Sequence, residues 1–384
     1  MIFGVGAVIS MLSVGEGAER EALRLIDTMG LRTVIVKAKE QPDDKVKETR
    51  EKSLGLTLHD LDAALETLPF IENHTAIKEV SVYSLFSHVG ESDGRVLGVS
   101  PSHFAMTHLS VARGRPLVPF DDHAFAQVAV IGSRAAYDLF GNQDPLGQRV
   151  RINHLWFTVV GLVADRALTR EEFQGVKLSG VENDLYVPVR TALKRFRFKP
   201  LEDELDEFHV QVREGVPPGR AAAGLTRLLE LRHRAVDDFS LVVPADLLEQ
   251  HRKTQRIFNL VMASIAGISL LVGGIGIMNI MLANVLERTR EIGIRRAVGA
   301  RRRDIRDQFL IETLTITGLG GILGIVAGLA IAAAIALLSG WQIAWTPRAV
   351  LLAVGVCAAV GLASGLYPAV KAARLDPIEA LQRE

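Results

Sequence analysis

The sequence predicts a membrane protein with four transmembrane α-helices and a large mixed α/β extracytoplasmic domain between the first and second spans. Three observations predict this class: long runs without charged residues, 48% hydrophobic residues combined with 23% charged ones, and an arginine-rich segment beside one of the runs. Such a composition combines apolar spans with a large water-facing domain. The formal net charge of zero argues against nucleic acid as a partner.

The first span, residues 1–15, is expected to be incomplete. Met1 to Val14 is apolar but too short to cross a hydrocarbon core of ~30 Å. It lacks the positive n-region of a signal peptide, and the charged sequence GEGAEREAL follows it directly. We therefore expect the outer part of a span that begins before this sequence, through a misassigned start or a truncation.

The extracytoplasmic domain is predicted over residues 16–256. Apolar residues at helical spacing predict helices at 58–67, 133–140 and 220–235. The polar, aromatic-free stretch 41–53 predicts a mobile loop. Short β-branched or alternating runs bounded by turn residues predict strands at 32–39, 79–89, 95–99, 127–131, 148–152, 156–163, 184–188 and 207–213.

Two further helical stretches adjoin the membrane at the ends of this domain. Residues 16–29 continue the first span outward, and residues 244–256 lead straight into the second. A flexible tether would be rich in Gly and Ser, and neither stretch is. The sequence therefore predicts a stalk of two stiff helices.

The remaining spans are long uncharged runs. The second, residues 257–286, holds thirty residues without Asp, Glu, Lys, Arg or His, and at about 1.5 Å per residue it exceeds the ~30 Å core. The third is predicted over 309–338, where 313–338 is uncharged, and the fourth over 349–370. Cys357 in the fourth span is the one cysteine, so no internal disulfide can form.

The arginines orient these spans. The loop 287–308 carries eight Arg against four acidic residues, and the tail 371–384 adds further basic residues. By the positive-inside rule, this loop and the tail are cytoplasmic and the domain lies outside. Trp341 and Trp345 suit an interfacial belt on the outer side.

Small residues repeat at a spacing of four in the third and fourth spans. This pattern lets helices approach closely in lipid, in a dimer or within one chain, although glycine is also simply frequent in membrane helices. The predicted helix-packing residues are Gly320, Gly324, Gly328, Gly361 and Gly365.

Several segments together resemble the permeases of the MacB and FtsX superfamily of ABC transporters over nearly the whole chain. They are SMLSVGEGA, VLGVSPSHF, ARGRPL, VAVIGSRAAYDLFGNQDPLGQRVRI, FTVVGLV, GGIGIMNIMLANVLERTREIGIRRAVGARRRDI and GLYPAVKAARLDPIEAL, in this order. The resemblance implies a bacterial inner-membrane permease with a periplasmic domain, paired as a homodimer or heterodimer. It also implies that a cytoplasmic ABC ATPase docks on the loop after the second span and moves the periplasmic domain through the stalks, which is called mechanotransmission.

No GxxxxGK[ST] phosphate loop is present in the sequence. We therefore expect ATP to be bound by a separate subunit, with no cofactor and no enzymatic activity in this chain. The scattered histidines and the serines lack the spacing of a metal site or a nucleophile elbow. The residues predicted to dock the ATPase are Glu287, Arg288, Glu291, Arg295, Arg296, Gly299, Ala300, Asp304 and Ile305. The alternative interpretation is that these arginines only anchor helix ends at anionic lipid headgroups.

The sequence leaves more than one class of function open. The resemblance implies efflux or export of a drug, peptide or lipid-linked cargo, with a periplasmic adaptor as a further partner. The alternatives are FtsX-like control of a periplasmic cell-wall hydrolase and release of lipoproteins. A domain of about 240 residues resembles the MacB type more than the FtsX type, whereas the cargo cannot be read from the sequence.

Overall fold

The computed structural model describes residues 1–42, 46–164, 172–173, 176–177, 182–339, 347–377 and 380. They form two compact units, Met1–Ala22 with His251–Glu384, and Leu23–Gln250. The predicted aromatic belt at Trp341 and Trp345 lies outside the described residues. The helices are α1 (Ile2–Met29), α2 (Val46–Lys52), α3 (Leu58–Thr67), α4 (His103–Met106), α5 (Pro119–His123), α6 (Ser133–Phe140), α7 (Val189–Arg195), α8 (Pro218–Arg232), α9 (Pro244–Glu287), α10 (Thr289–Ala297), α11 (Arg302–Ser339) and α12 (Pro347–Ala373).

The strands belong to the unit Leu23–Gln250. They are β1 (Thr33–Ala38), β2 (Ile71–Val80), β3 (Leu85–Phe86), β4 (Val96–Val99), β5 (Val111–Gly114), β6 (Val128–Ile131), β7 (Arg149–Ile152), β8 (Leu155–Val163), β9 (Glu172–Phe173), β10 (Val176–Lys177), β11 (Leu185–Pro188), β12 (Glu207–Val212) and β13 (Phe239–Val242). β9 and β10 form a separate hairpin pair.

The other strands form one mixed sheet in the order β13-β1-β12-β2-β4-β11-β6-β8-β7-β3, with β5 paired to β8. β4 with β11 and β6 with β8 are parallel pairs, and the remaining pairs are antiparallel. One core, around Val34, Phe208 and Leu225, joins the first strands of this order to α3 and α8. A second core, around Ile131, Phe140 and Phe157, covers the other end of the sheet with α6.

Four helical segments are long and apolar enough to cross a membrane: Ile2–Ile26, Pro244–Glu287, Arg302–Ile335 and Val350–Ala373. The predicted combination of four apolar helices with a mixed α/β domain is therefore confirmed. The predicted stalk segments 16–29 and 244–256 lie within α1 and α9. We call Met1–Ala22 with His251–Glu384 the membrane unit. In it, the Arg252 guanidinium lies 3.4 Å from a Glu19 carboxylate oxygen, which pairs the two helices.

The predictions of helices at 58–67 and 133–140 are confirmed to the residue, and the third predicted helix, 220–235, ends at Arg232. Seven of the eight predicted strands match observed strands within two residues at each end. The strand predicted at 79–89 is wrong as a single element. The Asn153 side-chain oxygen accepts hydrogen bonds from the amides of Tyr83 and Ser84, which turns the chain between β2 and β3.

The mobile loop predicted at 41–53 is wrong over its second half, which is helix α2. Its residue Arg50 donates to the Leu201 carbonyl and to an Asp203 carboxylate oxygen, at 2.8 and 2.6 Å. These partners lie about 150 residues further along the chain, so the polarity of residues 41–53 alone could not indicate them.

Candidate coupling site

The second span does not end in a loop but is followed, after a break at Arg288, by a further helix. The Thr289 hydroxyl donates to the carbonyl oxygens of Val285, at 3.0 Å, and Leu286, at 2.8 Å. Such bonds compete with the backbone ladder and bend helices. Arg288 adopts non-helical backbone angles between α9 and α10, so the regular helix is interrupted at this residue.

Helix α10 has a buried and an exposed side. The inward-facing positions recur at helical spacing and are Thr289, Ile292, Gly293 and Arg296. The exposed positions are Arg290, Glu291, Ile294, Arg295 and Ala297, and the exposed Val298 directly follows the helix. This division means that a partner can touch only part of the charged segment.

A tight turn connects α10 to α11. Gly299 has φ 110°, in a backbone region that residues other than glycine rarely adopt. The amide of Ala300 then donates to the Arg295 carbonyl at 3.0 Å, which closes the end of α10. The Asp304 carboxylate accepts from the amide of Arg301 at 2.8 Å and so caps the start of α11.

A groove of about 550 Å³ lies between α10 and the start of α11. Its lining residues are Ile294, Arg295, Val298, Ala300, Asp304, Ile305 and Gln308. Arg295 joins its two walls, because its guanidinium donates to the Gln308 side-chain oxygen at 2.7 Å and pairs with Glu291. Ile294 is 50% and Val298 85% exposed, so the groove offers apolar contacts with a charged rim. We call α10, the turn and this groove the coupling site.

The structure brings most of the predicted docking residues to the coupling site. Glu287, Arg288, Glu291, Arg295, Gly299 and Asp304 are exposed, and Ala300 is half-buried. Arg288 lies 3.5 Å from the Glu312 carboxylate, so it connects the break between α9 and α10 to α11. Arg296 and Ile305 differ from the rest. Ile305 is 2% exposed and packs in an apolar cluster with Phe309, and Arg296 points inward toward α12.

Sequence reasoning did not identify Ile294 and Val298, the two most exposed apolar side chains of the groove. The signal was present. Once positions 289, 292, 293 and 296 are placed on one helical face, Ile294 and Val298 must lie on another face, where an apolar side chain has no core to join.

The predicted packing glycines make close helix contacts within the membrane unit. A Cβ atom at Gly324 would lie 2.8 Å from the Val5 Cβ, and one at Gly328 would lie 2.7 Å from the Gly6 carbonyl oxygen. These two residues therefore bring α11 against the backbone of α1. Gly320 faces Met1 more loosely. Gly361 and Gly365 instead allow α12 to approach Thr317 and Thr313 of α11.

A second candidate region is an acidic cavity of about 710 Å³ in the unit Leu23–Gln250. Its wall includes Glu79, Asp206 and Glu207. Lys78, which is fully buried, donates 2.9 Å hydrogen bonds to Glu202 and Asp206. Burial raises the pKa of Asp206 although Lys78 opposes the shift. Within the described part of the chain, no three His, Cys, Asp or Glu side chains are grouped to hold a metal ion.

Known proteins match both parts of the chain. A family model described as "MacB-like periplasmic core domain" matches residues 1–228, and one described as "FtsX-like permease C-terminal" matches residues 263–377. A solved periplasmic region of MacB from Actinobacillus actinomycetemcomitans has a TM-score of 0.48 and 23% identity, over 60% of this chain and 97% of that one.

Curated relatives are similar over the full chain. It is 32% identical over 394 residues to the "Macrolide export ATP-binding/permease protein MacB" of Bdellovibrio bacteriovorus. It is 35% identical over 386 residues to the "Pyoverdine export ATP-binding/permease protein PvdT" of Pseudomonas syringae pv. tomato. The alignments cover 100% of this chain and 58% and 56% of those relatives, so the chain spans little more than half their length. The chain belongs to the MacB-like, FtsX-like family of ABC transporter permeases, with a MacB-like periplasmic core domain.

Proposed function

We propose that the chain is the permease part of an ABC exporter whose ATP-hydrolysing module docks at the coupling site. The observation that carries this proposal is the groove between α10 and α11. Two exposed apolar side chains, Ile294 and Val298, stand there with Arg295 and Asp304 beside them. Exposed apolar groups with a polar rim are typical of protein contact surfaces. Anchoring at lipid headgroups requires the arginines alone.

The long helix α9 supports the mechanotransmission part of the proposal. It runs over 44 residues from Pro244 to Glu287, which corresponds to about 66 Å at 1.5 Å per residue. Near its other end, Arg252 pairs with Glu19 of α1, and a Cβ atom at Gly15 would lie 2.8 Å from the Gln255 side chain. A displacement at the coupling site would thus be passed to both helices that lead into the periplasmic core domain.

The proposal extends to partners and location. The 384 residues hold no phosphate loop, so we propose that ATP binds to the ATP-hydrolysing module, on a separate chain or on the same one. Export is proposed because the names of the relatives include macrolide and pyoverdine export, and the cargo of this chain is a drug, peptide or lipid-linked molecule. A dimer of permeases in the bacterial inner membrane, with a periplasmic adaptor, completes the assembly.

Co-purification tests the docking step. The tagged full chain is extracted from bacterial membranes as the native form and as Val298→Asp, Arg295→Glu and Arg303→Glu. Arg303 is exposed at the start of α11 and does not line the groove, so it is the matched control for a reversed charge. We expect at least a tenfold loss of co-purifying ABC ATPase for Val298→Asp and Arg295→Glu, and retention for Arg303→Glu.

Two results would contradict this assignment. If Val298→Asp retained the ATPase at the native level, the groove would not be the docking surface. If Arg295→Glu and Arg303→Glu lost it equally, general electrostatic attraction would explain binding, and no specific groove contact would be needed.

A further inference from the structure

The charged side chain of Arg296 faces the end of the last span, away from the groove. Its Nη1 atom donates to the carbonyl oxygen of Ala373 at 2.7 Å and to that of Leu375 at 3.4 Å. The last carbonyls of a helix lack partners within the helix and carry partial negative charge. Arg296 of α10 therefore caps the C-terminal end of α12, 77 residues away in the sequence.

Gly293 provides a second contact between α10 and the chain that follows α12. A Cβ atom at Gly293 would lie 2.8 Å from the Ala380 Cβ and 3.6 Å from the Pro377 carbonyl oxygen. Ala380 is 2% exposed, and its amide donates to the Asp376 carbonyl at 2.9 Å. A residue larger than glycine at position 293 would push Ala380 away from α10.

Apolar packing completes the contact. Ile292 of α10 and Phe309 of α11 belong to one buried cluster with Ala369, Ala372 and Ala373 of α12. Both hydrogen bonds of Arg296 come from Nη1, whereas its buried Nε has no hydrogen-bond partner among the described residues. These hydrogen bonds between α10 and the end of α12 are thus made by the Arg296 guanidinium, and a substitution at this residue removes them.

We propose that Arg296 is a positioning residue that ties α10 to the end of α12, so that a displacement of α10 reaches the second and fourth spans together. The proposal rests on the docking of an ATP-hydrolysing module at the coupling site. It assigns different roles to the neighbours Arg295 and Arg296. Arg295 faces the partner, whereas Arg296 distributes the movement within the permease.

Hydrogen–deuterium exchange of the full chain in lipid nanodiscs tests the tie itself. The reporters are the amides of Arg374, Leu375 and Ala380, which donate to backbone carbonyls at the end of α12 and at Asp376. Losing a charge-assisted cap should speed their exchange by about tenfold in Arg296→Gln. Arg296→Lys keeps a charged donor and should stay within about threefold of the native rate. The matched control Arg295→Gln should leave the three amides unchanged.

The second arm adds the ATPase and a non-hydrolysable ATP analogue with Mg²⁺. In the native complex, the nucleotide should change exchange both in α10 and at the three reporter amides. In Arg296→Gln, the change in α10 should persist while the change at the reporters is lost, and Arg296→Lys should restore it. A residue that only stabilised the fold would not separate these two responses.

The outcomes distinguish the tie from the docking on which it rests. An unchanged nucleotide response at the reporters of Arg296→Gln would overturn the proposed role of Arg296. Absence of any nucleotide response in α10 of the native complex would overturn docking at the coupling site, and transmission with it. In that case, faster reporter exchange in the first arm would still establish the contact between Arg296 and α12.

Discussion

His233 connects α3 to the segment before β13 in the unit Leu23–Gln250, and it should make the stability of this unit depend on pH. Its Nδ1 atom lies 2.7 Å from an Asp238 oxygen, and Nε2 lies 3.4 Å from an Asp60 oxygen. Burial lowers the pKa of His233, but the hydrogen bond to Asp238 and the nearby Asp60 carboxylate raise it more, to about 9 from 6.5. A difference of roughly 2.5 pKa units corresponds to roughly 3 kcal/mol.

The sign of this effect follows from the raised pKa. The stabilisation is fully present below pH 6.5 and is lost as the pH rises through about 9. Amide exchange in the full chain measures it, because the amide of His233 donates to the Leu229 carbonyl at the end of α8. After correction for the intrinsic rate, protection of this amide should fall roughly a hundredfold between pH 6.5 and 9.

His233→Gln should be less protected at pH 6.5 and should lack this pH dependence, because no group then loses a proton there. The exposed His108 supplies the control variant, His108→Gln, which should keep the native profile. Protection in the native chain that stays constant from pH 6.5 to 9 would refute the argument that a charged His233 bridges the two aspartates.

Two further substitutions probe the packing of each unit. Lys78→Met leaves Glu202 and Asp206 without their buried cation and should destabilise the domain. The expected loss is only about 2 kcal/mol, because both carboxylates are partly exposed to water. Thermal unfolding of the full chain measures the loss, and a midpoint equal to the native value would contradict the buried ion pair. Gly328→Ala places a methyl group against the Gly6 carbonyl and should cost about 1–3 kcal/mol. Gly318→Ala is its control, because a Cβ atom there meets nothing within 4 Å; equal melting temperatures of the two variants would argue against the contact between α1 and α11.

Local sequence patterns predicted much of the fold because burial and periodicity act over short distances. The uncharged runs identified the spans, and alternating residues identified strands such as β8. Predictions from local sequence patterns failed where residues distant in the sequence determine the local structure. Helix α2 is anchored by Leu201 and Asp203, and the turn before β3 is held by Asn153.

At the coupling site, too, local sequence patterns predicted some features and missed those that depend on distant residues. Its location and most of its charged residues could be predicted from the arginines beside the second span. Counting charges, however, could not separate Arg295 from Arg296, because only the folded chain brings the end of α12 to Arg296. The repeat of small residues likewise indicated close packing without indicating that α1 is the helix that Gly324 and Gly328 contact.

Photo-cross-linking in cells tests docking at the coupling site most directly. A benzophenone amino acid replaces Val298, which is 85% exposed in the groove, or Tyr137, which is 65% exposed in the periplasmic core domain and serves as the control. After irradiation, mass spectrometry identifies the peptides joined to each position. We predict that position 298 captures an ATP-binding module, on a separate chain or on the same one, and that position 137 does not. Capture of lipid alone at position 298 would contradict the proposal that this surface receives the ATP-hydrolysing module.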